Sequence, residues 1–334
     1  RLEIILLLAP IVCQAANILM HLAMIVRSDT LKICIQHMEI DWRRIDNSTE
    51  HDIMTKHVRY SHNLTIACIT VMYTGALSYS LIMPLMAGNT INEFNETLRP
   101  RPFPGTDIFF DVQANVVYEI VFTINFISAI FHYTVITAVC NLAIVLVSHT
   151  CGQIQVVIWN LENLVNELTK NDKDPDVIMK RIGFIIRRHD RLLKFSANIE
   201  KALKEIFLME VVSSTLIMCF IEYDIIIALE QSITNRLEMT TYVLLLSSFA
   251  FNLFLYCQFG EVLMEQCQQV GKVAYMIDWY KLPSKSQLAL IMIINMGEYP
   301  CKLTAGGMMD LSIANFASIT KTSLAYFNMM RTMG

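Results

Sequence analysis

The C-terminal stretch 304–334 is long enough to span a bilayer but is unusually polar for lipid, because it contains Asp310, Lys321 and Arg331. Small, mildly polar and thioether side chains share one helical face, mostly at steps of three and four residues: Ser318, Thr322, Ala325, Met329, Thr332 and Met333. Such a face can line an ion pore that closes by dewetting, or it can let helices pack closely. Periodicity alone leaves both readings open. The preceding Gly306-Gly307 break favours a pore, because irregular backbone at membrane depth requires protein or water around it.

Residues that could carry out catalysis or bind a metal form no recognisable motif. The eight histidines are dispersed, and the sequence has no Gly-rich phosphate loop, paired-cysteine zinc motif or nucleophile elbow. His132 lies inside an apolar run, where a neutral histidine bonded to a neighbouring helix is commoner than a functional one. We therefore expect no enzymatic activity, no metal or cofactor and no nucleic-acid partner.

The elements that must position the polar face are apolar helices. Of the 334 residues, 54% are hydrophobic and only 17% are charged, against about a quarter in soluble domains. Six runs approach the roughly 20 residues that a membrane helix requires, and they cover 2–26, 64–87, 116–147, 206–229, 240–259 and 311–330. With no linker-like tract, the chain 1–334 is predicted to be one all-α, polytopic membrane domain. Because an apolar run begins at Arg1, we expect that an N-terminal helix is missing.

The basic residues predict the orientation of these helices. Lys and Arg number 20 in the alternate segments 27–59, 148–205 and 260–302, and three in the intervening segments 85–113 and 230–239. By the positive-inside rule the basic segments are cytoplasmic and the C-terminus is extracellular. One further upstream helix would give seven helices with a cytoplasmic N-terminus, the inverse of a G-protein-coupled receptor. The sequon at Asn95 then lies outside the cell and is a glycosylation candidate.

The basic segments are predicted to be helical. Between 177 and 204, apolar residues recur at steps of three and four, with arginines and Lys194 between them: Ile178, Ile182, Ile185, Ile186, Leu192, Leu193, Phe195 and Ile199. A basic helix on the lipid headgroups explains the charges but leaves this apolar stripe uncovered. We favour a cytoplasmic anchor region, formed by 27–63, 148–205 and 260–302, that joins subunits.

The C-terminal residues resemble the closing signature of insect odorant receptors. The similarity is carried by 303–307, by Leu311-Ser312 and Phe316, and by 321–327 with Arg331. Upstream, Asp41-Trp42, the stretch 149–153 and the stretch 256–283 are similar to the same family. The end of the chain differs from those of gustatory receptors and of the shared odorant co-receptor. The chain is therefore identified as a tuning, ligand-specific subunit.

The resemblance implies an insect odorant receptor fold of seven transmembrane helices in the inverted orientation, with the first helix absent here. It also implies a ligand-gated, non-selective cation channel that forms a hetero-tetramer with the co-receptor. Its expected location is the plasma membrane of the olfactory sensory neuron dendrite. A receptor without a pore, signalling through a cytoplasmic partner, is the alternative. A transporter is disfavoured because neither an inverted repeat nor midplane charges are evident.

The resemblance also implies where the sites lie. The last helix, 303–334, lines the pore, with a gate at Met329 and with Thr332 and Met333 beyond it. A small volatile ligand binds in the outer half of the bundle, where the candidates are Met72, Gly75, Tyr79, Tyr118, Phe122, Phe126, Tyr223 and Tyr242. For each aromatic residue, helix packing remains an equally good explanation.

Overall fold

The computed structural model describes residues 2–45, 47–86, 90–91, 97–99, 115–171, 175–230, 236–298 and 301–333. Within these ranges the chain is almost entirely helical. The α-helices are α1 (Leu2–Val26), α2 (Ser28–Arg43), α3 (Ser48–Leu77), α4 (Met83–Met86), α5 (Asn115–Asn171), α6 (Pro175–Glu230), α7 (Arg236–Met276), α8 (Ser284–Gly297) and α9 (Ile313–Met333). A π-helical turn, Ser78–Ile82, joins α3 to α4, and a 3₁₀ turn, Trp279–Lys281, precedes α8.

Two short antiparallel strand pairs complete the described chain. Strand β1 (Thr90–Ile91) pairs with β2 (Thr97–Leu98), and β3 (Thr304–Ala305) pairs with β4 (Met309–Asp310). In the second pair Thr304 is opposite Asp310 and Ala305 is opposite Met309. The candidate glycosylation residue Asn95 lies outside the described residues, so its prediction remains untested.

Four helical segments are long and apolar enough to cross a bilayer: Ser48–Met86, Val116–Leu164, Pro175–Ile226 and Arg236–Met276. They correspond to the second to fifth predicted runs. Helix α1 coincides with the first run and α9 with most of the last. Helices α5 and α6 contain 57 and 56 residues, so each is about 85 Å long at 1.5 Å per residue. Both therefore extend far beyond about 30 Å of hydrocarbon. The all-α, polytopic membrane fold is confirmed.

Helix α6 is the centre of the packing. It contacts α1, α2, α5, α7, α8 and α9, whereas α3 packs mainly against α5 and α7. One continuous cluster of buried apolar side chains runs along α6, from Ile182 through Ile199 to Phe207. The eight cysteines whose side chains the structure describes are free, as expected for a core that is held by apolar packing.

The polar part of the bundle, which we call the basic bundle, consists of residues 28–43, 48–62, 149–171, 175–205 and 261–276. Its predicted apolar stripe is largely buried inside the same chain: Ile178, Ile182, Ile185, Leu192, Phe195 and Ile199 are all buried. Packing against α2, α5 and α8 thus explains the stripe without a second subunit. The helical prediction is confirmed, while the role of this region in joining subunits stays a prediction.

Ion pairs fix the helices of the basic bundle relative to one another. Arg27, just after α1, lies 2.5 Å from Glu205 of α6, and Arg188 Nη1 lies 2.9 Å from both carboxylate oxygens of Glu50 on α3. The carboxylate of Asp41 receives Arg191 Nη2 at 2.6 Å and lies 3.1 and 3.3 Å from ring nitrogens of two histidines. Burial alone would raise the pKa of Asp41, but His149, His37 and Arg191 together hold that pKa well below its usual range.

The strand pair β3–β4 interrupts the chain before α9, as the Gly306-Gly307 dipeptide predicts. Gly306 and Gly307 have φ angles of 65° and 73°, a left-handed conformation that glycine adopts without a Cβ clash. Helix α6 fixes this turn, because Gly306 N donates to the Lys204 carbonyl at 2.8 Å and Thr304 N donates to Glu200 Oε2 at 2.9 Å. The start of the last helix is therefore rigidly connected to α6.

A close contact between α7 and the start of α9 depends on Gly260. A Cβ added at Gly260 would lie only 2.7 Å from Leu311 Cβ and 2.9 Å from the Leu311 carbonyl carbon. Nearby, Glu261 Oε2 accepts a hydrogen bond from Ile313 N at 3.2 Å, which satisfies one of the free N–H groups at the start of α9. Residues 260 and 261 thus set the position of the last helix.

Candidate functional site

Helix α9 has a buried seam and an exposed half. The seam contains Ile319 and Ser323, with 7% and 0% of their surfaces exposed. Ser323 Oγ donates to Glu222 Oε2 of α6 at 3.0 Å, and Cys219 Sγ donates to the Ser323 carbonyl at 3.3 Å. The described side chains on the opposite half of α9 are exposed.

The predicted pore face lies within this exposed half. Ser318, Thr322, Ala325 and Met329 are all exposed, and Met329 has 46% of its surface accessible. The Thr322 hydroxyl donates to the Ser318 carbonyl at 2.9 Å, so it presents its methyl group and an acceptor oxygen outward. Thr332 lies in α9 and Met333 ends it, but both side chains lie outside the described part. Their place in a pore remains a prediction.

The exposed residues of α9 cover a wider arc than the predicted face. At about 100° per residue, the exposed positions from Ile313 to Met329 span roughly 180° of the helix. Ser318, Thr322, Ala325 and Met329 occupy one edge of that arc, and Lys321 lies near its centre. The side of α9 directly opposite the α6 seam is therefore basic, a feature that the spacing of the small residues did not indicate.

At the end of the bundle away from the basic bundle, the structure brings together two of the predicted ligand-site tyrosines from different helices. Tyr79, in the π-helical turn after α3, and Tyr242, on α7, have ring centroids 6.5 Å apart. Tyr223 of α6 is buried, with 7% of its surface exposed. The contact between Tyr79 and Tyr242 joins segments more than 160 residues apart, so only the tertiary structure could place these two rings side by side.

The predicted aromatic residues of α5 follow one another along one side of the helix. Tyr118 and Phe122 stack with ring centroids 6.1 Å apart, and Phe126 lies one further turn along and is half-buried. The guanidinium of Arg99 lies 5.2 Å from the centroid of the Tyr118 ring, within the range of a cation–π interaction. Arg99, which follows β2, thus lies against the first turn of α5.

Two other predicted ligand-site residues are tightly packed. Met72 has 0% of its surface exposed, and Gly75 lies where an added Cβ would be 2.9 Å from Ser248 Cβ of α7. Ser248 Oγ donates to the Val71 carbonyl at 2.9 Å and fastens α7 to α3 at this level. A ligand could reach Met72 only if neighbouring side chains moved. Contact of Met72 and Gly75 with a ligand therefore remains a prediction.

The sequence did not predict two further contacts that join α3, α5 and α7. Tyr133 of α5 and Phe249 of α7 have ring centroids 6.0 Å apart, and Tyr73 OH lies 2.7 Å from Thr134 Oγ1. Tyr133 lies within the long apolar run of α5, where periodicity has little contrast because most positions are apolar. The buried face of α5 therefore could not be read from its sequence.

These features define the chain as a polytopic helical membrane protein with aromatic side chains at the end away from the basic bundle and a half-exposed last helix. A comparison with protein families gives the class its name: the family model "7tm Odorant receptor" matches residues 2–324. The chain belongs to this odorant receptor family. Because the members are receptors, the lack of catalytic motifs in the sequence agrees with the family.

Individual relatives are distant in sequence, and they are odorant receptors, in agreement with the family match. The chain is 21% identical over 310 residues to Odorant receptor 13a of Drosophila melanogaster, an alignment covering 86% of this chain and 70% of that protein. It is 23% identical over 190 residues to Odorant receptor 22c of the same species, covering 55% of this chain and 46% of that protein. These alignments indicate common ancestry, but their identities are too low to define a shared ligand.

Solved structures confirm the fold. The olfactory receptor OR5 from Machilis hrabei in complex with eugenol superposes with a TM-score of 0.72 at 14% identity, covering 99% of this chain and 88% of that one. The structure of OR5 described without eugenol gives a TM-score of 0.65 at 15% identity, with the same coverage. At these identities the similarity establishes the arrangement of helices and nothing about the ligand of this chain.

Proposed function

We propose that this odorant receptor family member is the tuning subunit of a ligand-gated, non-selective cation channel. It assembles with the odorant co-receptor as a hetero-tetramer in the plasma membrane of the olfactory sensory neuron dendrite. One observation carries this proposal. Helix α9 packs on α6 and α7 of its own subunit along one side, which includes Ile319 and Ser323, and leaves about half of its surface, small and polar in part, uncovered.

That uncovered half suits a helix that surrounds a pore better than a helix that faces lipid. Lys321 and Thr322 would be costly against hydrocarbon, whereas a water-filled lumen or another subunit can accommodate them. In a ring of four last helices, each helix presents one face to the axis and its flanks to its neighbours. The edge formed by Ser318, Thr322, Ala325 and Met329 is the axial face in this proposal.

The ligand is proposed to be a small apolar volatile compound held in the outer half of the bundle. Tyr79 and Tyr242 supply rings from two different helices, and Tyr118, Phe122 and Phe126 supply a third wall from α5. A site of this kind recognises shape and apolar area more than hydrogen bonding. We therefore expect one methylene of the ligand to change binding by about 1–3 kcal/mol.

Gating follows from the connection between the pocket walls and α9. The rings of Tyr223 and Tyr242 lie on α6 and α7, and these helices hold α9 through Glu222 and through the approach of Leu311 to Gly260. A ligand that binds the open arrangement more tightly shifts α6 and α7, moves the attached α9 outward and hydrates the ring at Met329. The size of the shift is limited by the ligand's difference in affinity between the two states.

The proposed orientation places the basic bundle in the cytoplasm and the end of α9 outside the cell. It rests on the distribution of lysine and arginine, 20 against three in alternate segments. The same orientation exposes Asn95 to glycosylation. Labelling a C-terminal tag on intact cells tests it directly, because an intracellular tag would exclude the proposed topology.

Lys321 supports a second candidate, a receptor without a pore that signals through a cytoplasmic partner. A cationic side chain at the centre of the exposed half of α9 would oppose the passage of cations if it faced the axis. In the channel proposal, Lys321 instead faces a neighbouring subunit. The two candidates therefore differ in whether residues beside Lys321 are in contact with permeating ions.

Cysteine substitution at two adjacent exposed positions separates these candidates. In cells that express the chain with its co-receptor, Ala325→Cys places a thiol on the proposed axial face, and Leu324→Cys places one about 100° away. A charged, membrane-impermeant thiol reagent should reduce odorant-evoked current through Ala325→Cys and leave Leu324→Cys unchanged. Equal sensitivity of both variants to the reagent, or no sensitivity of Ala325→Cys, would exclude the proposed face.

A further inference from the structure

A cavity in the basic bundle lies far from the proposed odorant-binding residues. It occupies about 490 Å³ between α2, α5 and α6 and is bordered by four arginines: Arg44, Arg187, Arg188 and Arg191. Cavities of a few hundred Å³ are the usual size for small-molecule sites. The proposed channel mechanism uses neither this cavity nor its charges.

Two of the four arginines are held in place by carboxylates. Arg188 makes a two-oxygen contact with Glu50 at 2.9 Å, and the side chains of this pair are only 18% and 13% exposed. Arg191 is bound to Asp41 at 2.6 Å, and its Nε donates to His37 Nε2 at 3.0 Å. These contacts fix both guanidinium groups at the cavity wall, which reduces the entropy lost when an anion binds.

The other two arginines carry uncompensated charge. Among the residues that the structure describes, neither Arg44 nor Arg187 has a side-chain ion pair, and both are exposed at the cavity. Four arginines against the carboxylates of Asp41 and Glu50 leave an excess of two positive charges. Guanidinium groups bind phosphate oxygens through paired, charge-assisted hydrogen bonds. The charge of the cavity therefore matches a phosphate-bearing anion.

The remaining walls are rigid and include a further hydrogen-bonding group. The ring of Phe195 is 2% exposed and stacks on His37 with centroids 4.5 Å apart and an interplanar angle of 9°. Gln153 Oε1 accepts from Arg188 Nη2 at 3.3 Å, so its amide group faces the same space. The cavity is thus a preformed pocket and not a row of mobile surface charges.

Depth favours a soluble anion over a lipid headgroup. Arg191 precedes Glu205, which pairs with Arg27 at the inner end of α1, by 14 positions on one continuous helix. At 1.5 Å per residue this places Arg191 about 20 Å from the end of the apolar spans. The headgroup layer on each side of a bilayer is only about 5–8 Å deep. A headgroup would have to leave that layer to reach the cavity.

We propose that this cavity is a binding site for a soluble organic polyphosphate, held by Arg44 and Arg187 at its rim and by Arg188 and Arg191 at its wall. The bound anion bridges α2 and α6, which otherwise meet here with an excess of like charge. It therefore stabilises the basic bundle. The proposal does not depend on where the odorant binds or on whether α9 lines a pore.

Equilibrium binding to the purified full chain with its co-receptor tests the site, with labelled inositol hexakisphosphate as the probe. Arg44→Gln and Arg187→Gln should each weaken binding roughly tenfold or more, and higher ionic strength should weaken it further. Arg43→Gln is the matched control, because Arg43 is adjacent and exposed but pairs with Glu39 at 2.5 Å, away from the cavity. It should bind the probe like the unaltered protein.

A second arm offers the phosphate on a membrane. In this arm the complex is reconstituted in vesicles with and without phosphatidylinositol bisphosphate, and competition with the soluble probe is measured. The proposal predicts no competition by the lipid. It is overturned if the unaltered complex does not bind the soluble probe, if Arg43→Gln weakens binding as much as Arg44→Gln, or if only the lipid occupies the site. A melting temperature raised by the probe in the unaltered complex and not in Arg187→Gln would support it independently.

Discussion

Replacement of Met329 by serine should make the channel leak in the absence of odorant. Full burial of a methionine side chain is worth about 1.5–3 kcal/mol. Met329 is 46% exposed in the single chain, so covering that fraction in a closed ring contributes about 0.7–1.4 kcal/mol per copy. Loss of this contribution should raise the ratio of open to closed channels roughly three- to tenfold for each substituted subunit.

Voltage-clamp recording from cells that express the chain with its co-receptor measures this effect. The readouts are odorant-free current, normalised to surface-labelled protein, and relative permeability to small and large cations. Leu324→Ser is the matched control, because Leu324 is 47% exposed but lies about 140° from Met329 around the helix. Odorant-free current and permeability unchanged by Met329→Ser, or changed equally by Leu324→Ser, would refute the assignment of Met329 to the gate.

Two further predictions concern the parts of the fold that position the site. Gly260→Ala should destabilise the protein by about 1–3 kcal/mol in a thermal melt, because the added Cβ would lie 2.7 Å from Leu311 Cβ. Gly183→Ala is the control and should be neutral or slightly stabilising in the same measurement. The nearest neighbour of its added Cβ is the Arg187 side chain at 3.4 Å. Asp41→Asn should lower the melting temperature at neutral pH, because the folded protein holds the pKa of Asp41 below its unfolded value. The stabilisation is fully present above the unfolded pKa of about 4 and is lost as pH falls through the folded value. The difference between variant and unaltered protein should therefore persist from pH 7 to pH 5, and a difference that disappears within that range would contradict the assigned ion cluster.

The sequence predicted the helices well because their signals are local. Apolar runs of membrane length and periodic stripes depend on residues within a few turns of each other, so α1, the long helices and the break at Gly306-Gly307 could be located. The stripe from Ile178 to Ile199 was also correctly read as an apolar helix face. Which surface covers the stripe could not be predicted, because nothing local distinguishes a stripe buried by the same chain from one buried by another subunit.

The candidate site likewise contains features that spacing predicted and features that only the packing of the helices showed. Spacing placed Ser318, Thr322, Ala325 and Met329 on one face of α9, and the structure leaves that face exposed. Spacing could not show that Lys321 lies at the centre of the exposed half, because the position of the α6 seam defines that centre. The aromatic candidates were chosen helix by helix, and only the packing of α3 against α7 brings Tyr79 to Tyr242.

The sequence by itself determined the class of the protein: an all-α, polytopic membrane chain with lysine and arginine concentrated in alternate segments and a resemblance to odorant receptors. Hydrophobicity and charge act through the solvent and the membrane, so their effects can be read one segment at a time. The tertiary structure alone decided which side of α9 is covered, which aromatic rings lie side by side, and how Arg44, just after α2, and three arginines of α6 come to border one cavity. These features depend on contacts between residues more than 100 positions apart, which a linear pattern does not encode.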